Sequence, residues 1–351
     1  MPERIVESFD VKWIDILDEK GNVDESLMPL LSDDEIKKMY ETLLLARTFD
    51  QRALNLQREG RLGTYASILG QEASQIGSAL AFEKTDWIFP SFRESGVLIA
   101  RGYPLSMIFQ YWSGDERALK APADMNIFPI SIPVGTHIPH AVGVAFAAKY
   151  RGDRIAASAY FGDGGTSKGD FHEGFNMAGV FKAPVVFICQ NNQWAISVPR
   201  EKQTASKTLA QKAFAYGFEG IQVDGNDIFA VYRVTKDALE KAKSGGGPTF
   251  IECFTYRMSH HTTADDATRY RRQEEVEAWK LKDPVLRLKL FMHKKGIWAE
   301  QYHKEIEEKS KAVIDDAVKT AESIEPPDPR DIITYTYATP TRRQMRELKD
   351  F

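Results

Sequence analysis

Apolar residues recur at helical spacing over 36–58, directly behind Ser32-Asp33-Asp34-Glu35, and the combination predicts a long helix with a capped start. Further along the pattern changes. The runs 155–161 (IAASAYF) and 184–189 (PVVFIC) are short, apolar and bounded by polar residues, as buried strands are. Between them lie a glycine-rich loop, 162–169, and a helical stretch, 170–181, with Asp170 as its expected cap. Strand, loop, helix and strand make one βαβ unit with a right-handed crossover. A second unit follows from a strand end at 220–223, a helix over 227–243 and a strand over 248–255. Asp224-Gly225-Asn226-Asp227 turns the chain and caps that helix. Small residues fill 72–82 and 137–150, which suits closely packed helices, the second of them buried against the sheet. From 273 to 325 the chain reads as charged helix, ended by Pro326-Pro327-Asp328-Pro329. The expected fold class is α/β, a parallel sheet flanked by helices, with N- and C-terminal helical extensions. Its expected divisions are a weakly patterned arm over 1–34, an α/β domain over 35–272 and a helical extension over 273–351.

Composition narrows the function classes. A 351-residue chain with 43% hydrophobic and 27% charged residues belongs to the globular class. The formal net charge of -4 and the lack of a dense basic stripe argue against nucleic-acid binding. Arg269, Arg271 and Arg272 read as a solvated helix start or loop. No apolar run is long enough to span a bilayer and no signal peptide is visible, so no membrane role is expected. Cys189 and Cys253 both fall in predicted core strands, where reduced thiols fit a cytoplasmic location.

The candidate chemistry sits at strand ends. Gly162-Asp163-Gly164 follows the first strand of the central unit and Asn191-Asn192 follows the second. Parallel strands place both loops at one carboxyl edge, where open α/β sheets bind ligands. A carboxylate and a carboxamide are hard oxygen ligands suited to magnesium or calcium, and such an ion is a handle for a diphosphate. The plainer reading is that Asp-Gly marks a turn and that paired asparagines cap helices. Equivalent positions at the ends of neighbouring strands favour the metal-diphosphate reading. A P-loop is ruled out because no Gly-Lys-Ser/Thr follows the glycine-rich loop, and a nicotinamide site because GxGxxG is absent from it.

The GDG…NN pair has the form of the thiamine diphosphate motif. With it stand GQEASQIGSA at 70–79, FRESGVLIARGYP at 92–104 and SIPVGTHIPHAVGVAFAAK at 131–149, then VDGNDIFAVY at 223–232 and YRMSHHTTADDATRYR at 256–271. In these blocks the chain resembles the alpha subunit of the decarboxylating component of 2-oxo acid dehydrogenase complexes, closest to the branched-chain type. The resemblance implies a thiamine diphosphate-binding fold and a Mg2+ ion held by Asp163, Asn192 and the main-chain carbonyl of Trp194. Gly162, Gly164 and Gly165 would lie along the diphosphate, and Arg93 would meet its terminal phosphate. Gln190 stands where branched-chain relatives carry a second Arg. Ile132 and Val134 match positions beside the aminopyrimidine. Ser131, Pro133 and Thr136 match a potassium site of some relatives, but His137 replaces their Gln and leaves that site open. His260 and His261 are the expected titratable actors, with His261 near the phosphate and able to exchange protons near neutrality. Thr262 follows where animal relatives have a regulatory serine.

The same resemblance implies a split site. The half that would complete the cofactor cleft is missing, so a beta subunit is expected to supply it, in an assembly of two alpha and two beta chains. The reaction implied is oxidative decarboxylation of a small 2-oxo acid, with acyl transfer to a lipoyl-bearing transacylase. Phe92, Val134 and Tyr65, with Ala66 where pyruvate-type relatives tend to carry a His, suggest a pocket for a branched-chain substrate, pyruvate remaining possible. An acetoin dehydrogenase alpha subunit and a catalytically inactive scaffold are the alternatives.

Overall fold

The computed structural model describes residues 3–350. Six parallel strands form the sheet: β1 (Lys12–Ile14), β2 (Trp87–Phe89), β3 (Ala157–Gly162), β4 (Val185–Asn191), β7 (Glu219–Asp224) and β8 (Thr249–Phe254). Their order is β1-β7-β8-β4-β3-β2, and β5 (Trp194–Ala195) and β6 (Val198–Pro199) make a separate small hairpin. The apolar runs read from the sequence are the central strands β3, β4 and β8. In β4, Val185, Phe187 and Cys189 enter one core while Val186 and Ile188 enter the other. A strand covered on both faces must be apolar throughout, which is why these runs show no alternation.

Helices cover both faces, with the shorter α3 (Ser95–Ala100), α4 (Leu105–Trp112) and α7 (Arg200–Gln203) between the longer ones in sequence. On one face, α5 (His137–Arg151) and α6 (Gly169–Phe181) pack together, α5 resting on β2 and β3. On the other, α1 (Asp33–Arg58), α2 (Glu72–Ala81) and α8 (Ile228–Lys241) build the larger core. Ser32 caps α1 in a reciprocal capping box with Glu35, as its sequence implies. Asp227 caps α8 through the amides of Phe229 and Ala230. The C-terminal helices α9 (Gln273–Lys280), α10 (Pro284–Lys294) and α11 (Glu300–Glu322) follow in the expected helical stretch, and α11 lies along α1. Leu288, Met292 and Ile314 join the same core as Leu43 and Phe49, so packing continues across the 272/273 division. Among the described residues no helix is long and apolar enough to cross a membrane.

Several local expectations are corrected. Asp170 is not the cap of α6: the chain turns through a 3-10 segment, Asp163–Ser167, straight into a helix that begins at Gly169. Asp170 therefore stands inside the first turn, where its charge suits the positive end of the helix dipole. The loop expected over 190–197 is the end of β4 plus the β5–β6 hairpin. The arm is also more than weakly patterned chain, because β1 pairs with β7 at the sheet edge. Asp227 holds that arm down, its Oδ2 accepting from the amides of Ile16 and Leu17, both at 2.6 Å.

Arg287 ties the arm, the C-terminal helices and the sheet together. Its buried guanidinium donates to Asp224 Oδ2 at 2.8 Å, to the Leu17 carbonyl at 3.1 Å and to Glu19 at 3.2 Å. Truncating one partner of a buried pair costs ~3–5 kcal/mol because it strands the other charge. Arg287→Met is expected to lower unfolding stability by an amount in that range, read from a urea transition. A loss under ~1 kcal/mol would show the pair to be dispensable.

Candidate functional site

The carboxyl ends of β2, β3 and β4, the small hairpin and the loop after β8 open onto one cavity of about 420 Å3. The sequence reading brought Asp163 and Asn192 to one edge, and both line this cavity. Strand β2 delivers Phe92 and Arg93 to the same place. It is only three residues long, too short to show a period, and the apolar Trp87-Ile88-Phe89 before Pro90 is its trace in the sequence.

Asp163 is almost fully buried, and its Oδ2 has no hydrogen-bond partner. Burial pushes its carboxyl up to about 7. Its main chain is fixed by Gln203 Nε2 and the Thr166 hydroxyl, which donate to the Asp163 carbonyl at 2.7 and 2.9 Å. Gly164 packs so closely on the hairpin that an added Cβ would lie 3.0 Å from the Ala195 Cβ. The two asparagines part company. Asn191 donates to Glu252 at 2.6 Å inside the core, whereas Asn192 donates to Gln71 Oε1 at 2.9 Å and its Oδ1 accepts only the Trp194 amide, at 3.2 Å. That oxygen keeps a free lone pair.

Beside this cavity Arg93 and Arg257 have no acidic partner for their guanidiniums among the described residues. Arg93 donates to the carbonyls of Ser67 and His261, each at 2.7 Å, and burial, with Arg257 adding, draws its pKa down to about 10, so it stays charged at neutral pH. Arg257 lies behind the cavity wall. It donates to Trp194 O at 3.2 Å, to Ile196 O at 2.7 Å and to the Tyr270 hydroxyl at 2.8 Å. It thereby holds Ile196 at φ 57°, a conformation that a β-branched residue resists. The Trp194 carbonyl, the third metal ligand implied by resemblance, is thus engaged by Arg257 through one lone pair and has the other to offer.

An orphan carboxylate oxygen and an unneutralised guanidinium on one cavity are complementary deficits. A hard cation at Asp163 and an anion at Arg93 satisfy both, and the oxygen donor set suits magnesium. Among the described residues no cluster of three or more His, Cys, Asp or Glu side chains could hold a metal, so an ion here needs amide, carbonyl and ligand oxygens as well. The cavity therefore fits a metal-bound diphosphate.

His261 lines the cavity with its ring edge-on to Phe92 at 5.8 Å. Its Nδ1 lies 3.1 Å from Arg93 Nη2 and 3.3 Å from Arg257 Nη1. Both neighbours only donate, so Nδ1 accepts and Nε2 carries the proton. Burial first, then Arg93 and Arg257, pull its pKa down to about 3, so the imidazole is neutral rather than poised near neutrality. The native state then binds fewer protons than the unfolded chain, and this contribution to stability is lost as pH falls from the ordinary 6.5 toward about 3. A bound diphosphate would offset the two guanidiniums and raise the His261 pKa. Proton NMR titration of its Hε1 should show the midpoint move up on cofactor binding. An unchanged midpoint would show that the anion does not reach it.

Other expected residues fall elsewhere. His260 is not in this cavity: its Nδ1 accepts the Ala267 amide at 3.0 Å, and its ring lines separate cavities on the other side of the loop. A catalytic role in this cavity does not fit that placement. Gly162, Gly164, Gly165 and Trp194 do line the cavity, as does Val134. Ile132 is exposed and outside the lining. Tyr65 and Ala66 are fully buried away from it, because the Tyr65 hydroxyl is bound by Asp50 at 2.9 Å. Gln190 is not free to meet a phosphate: its amide donates to Glu94 at 2.6 Å and accepts from Gln75 at 2.8 Å. Gln71, Glu94 and Lys168 also line the cavity, the first two from the blocks 70–79 and 92–104, and Arg257 behind its wall comes from the block 256–271. A buried Arg is rare enough that sequence alone defaults it to the surface.

The family relationship agrees with this geometry. Residues 40–330 match the family described as "Dehydrogenase E1 component", and the chain belongs to it. Among curated relatives, the pyruvate dehydrogenase E1 component subunit alpha of Staphylococcus aureus (strain Mu50) is 47% identical over 316 residues, covering 90% of this chain and 85% of the relative. The protein of the same name from Acholeplasma laidlawii is 45% identical over 340 residues, 95% of this chain and 99% of its own length. That from Staphylococcus epidermidis is 45% identical over 316 residues, covering 90% and 85%.

Proposed function

We propose that this chain is the alpha subunit of a thiamine diphosphate-dependent 2-oxo acid dehydrogenase, acting on pyruvate, with Mg2+ at Asp163 and Asn192. The observation that carries the reading is the meeting of Asp163, Asn192, Arg93 and His261 on one cavity at the carboxyl edge of the sheet. Asp163, Asn192 and the Trp194 carbonyl would hold the ion, while Arg93 and Lys168 would meet phosphate oxygens. His261 would donate from Nε2, and Phe92 and Val134 would keep water from the reacting groups. The bound cofactor supplies the electron sink for decarboxylation. A beta subunit would complete the cleft, and the acyl group would pass to the lipoyl group of a transacylase. The exposed apolar residues Ile132, Val134 and Ile196, at 52%, 40% and 57% exposure, support a partner at this edge.

Pyruvate replaces the branched-chain preference for two reasons. The relatives reported above are named as pyruvate dehydrogenase subunits. The argument for a larger pocket also used Tyr65 and Ala66, which lie outside the cavity. Apolar pockets distinguish one methylene by ~1–3 kcal/mol, or about 10–200-fold. The assembled enzyme is expected to show a kcat/KM for pyruvate at least about tenfold above that for 2-oxoisovalerate. The reverse order would restore the branched-chain reading.

A further inference from the structure

Arg93 is aimed by something other than an acid. Its Nη1 donates to the carbonyl of Ser67 at 2.7 Å, and Ser67 belongs to a four-residue stretch, 65–68, that three bonds attach to one carboxylate. Asp50 Oδ1 accepts from the Tyr65 hydroxyl at 2.9 Å and from the Ile68 amide at 2.8 Å, and its Oδ2 accepts the Ser67 hydroxyl at 2.6 Å. Asp50 is buried on α1, a helix of 26 residues and therefore a rigid support. The stretch, with Leu69 directly after it, also grips the loop that carries His261, on both sides of that residue. Tyr65 donates its amide to the Thr263 hydroxyl at 3.1 Å and accepts the Thr263 amide at 3.0 Å, while Leu69 accepts the Met258 amide at 3.1 Å. Just beyond, Gly70 has φ 94°, and a Cβ there would lie 2.3 Å from the Tyr256 carbonyl oxygen, so the path out of the stretch is fixed as well.

We propose that Asp50 is a positioning residue for the anion-binding wall of the cavity: through 65–68 it sets the direction of the Arg93 guanidinium and the seat of the His261 loop. The inference rests on the thiamine diphosphate reading and adds to it a residue that touches neither cofactor nor metal. A carboxylate only accepts, so it collects all three donors without any of them turning. With an alanine at position 50, three buried donors lose their partner, the stretch relaxes, and the Ser67 carbonyl no longer fixes Arg93.

A fold-supporting carboxylate would also be buried and well bonded, so loss of stability alone decides nothing. A double-mutant cycle separates the roles. Thiamine diphosphate affinity would be measured by calorimetry, with Mg2+ present, on the co-expressed alpha-beta assembly. The variants are Asp50→Ala, Arg93→Met and their combination. Asp50→Ala should weaken binding about tenfold or more when Arg93 is present and less than about twofold when it is absent, because the effect runs through that guanidinium. Asp50→Asn should recover most of the affinity: its Oδ1 still accepts from Tyr65 and Ile68, and the Ser67 hydroxyl can turn to meet its amide. Should Asp50→Ala fail to assemble, Tyr65→Phe removes one of the three bonds, keeps the ring packing and enters the same cycle. Unchanged affinity, or losses that multiply in the double variant, would overturn the assignment. If the unaltered assembly does not bind the cofactor at all, the functional reading falls and this inference with it. Binding with multiplied losses removes only Asp50.

Discussion

Asp163→Asn is expected to weaken binding of magnesium thiamine diphosphate to the alpha-beta assembly by about a hundredfold or more. The substitution keeps the shape of the side chain and removes one negative charge. Residues that merely orient a metal ligand already cost ~10–100-fold when changed, so a direct charged ligand should cost at least the upper figure. The structure strengthens the expectation in two ways. The Asp163 carboxylate has an oxygen with no partner, so the fold spends no hydrogen bond of its own on that atom. Its backbone is held independently by Gln203 and Thr166, so the loop has other restraints when the charge goes. A matched variant gives the contrast. Asn191 sits one residue from Asn192, but its amide donates to Glu252 in the core and its Oδ1 accepts from Gln193, so Asn191→Ala should cost stability while the proposed ligand side chains of Asp163 and Asn192 remain. Calorimetric titration checks both, and an Asp163→Asn assembly that binds within about threefold of the unaltered one would remove Asp163 from the metal site.

The parts of this site that could be read in advance are those fixed by strand ends. The runs before Asp163 and Asn191 are apolar because β3 and β4 are covered on both faces. Where such a run stops, the chain must leave the sheet at the ligand-binding edge, and that places the residues that follow. Short elements gave no such signal. Strands β1 and β2 have three residues each, too few to show a period, and they join the sheet through long-range pairing alone. The adjacent histidines show a second limit. His260 and His261 are alike in sequence, and which of them faces the cavity depends on the fold of the loop. The His261 amide donates to Asp265 Oδ2 at 2.8 Å while the His260 ring accepts the Ala267 amide at 3.0 Å, and these bonds turn the two side chains to different sides. Tyr65 failed for a related reason. Its hydroxyl is captured by a carboxylate on α1, and no local pattern around residue 65 announces that partner. The C-terminal helices were legible as helices through their charge pattern, but not as part of the core against α1, which depends on where their apolar faces dock.

Purified without a beta subunit, this chain is expected to turn over a 2-oxo acid at less than about a thousandth of the rate of the assembled pair. Acid-base groups contribute roughly 10²–10⁴-fold each, and the described residues supply few of them to the cavity. His261 is neutral and has its Nδ1 occupied by two guanidinium donors, so it can offer one proton from Nε2. Glu94, pushed up to about 7 by burial, is tied to Gln190 and to the Arg93 amide, which leaves it little freedom to reach a substrate. The wall is also incomplete. Ile132, Val134 and Ile196 are exposed near the edge of the proposed diphosphate site, so an isolated chain would leave apolar surface and the reacting groups open to water. Low-dielectric enclosure is what makes electrostatic stabilisation effective, and water removes it. Carbon dioxide release from labelled pyruvate measures the difference directly. Addition of the beta subunit should restore turnover in proportion to the assembly formed. Turnover by the isolated chain within about tenfold of the pair would mean that its own side chains complete the site, and the need for a second subunit would have to be abandoned.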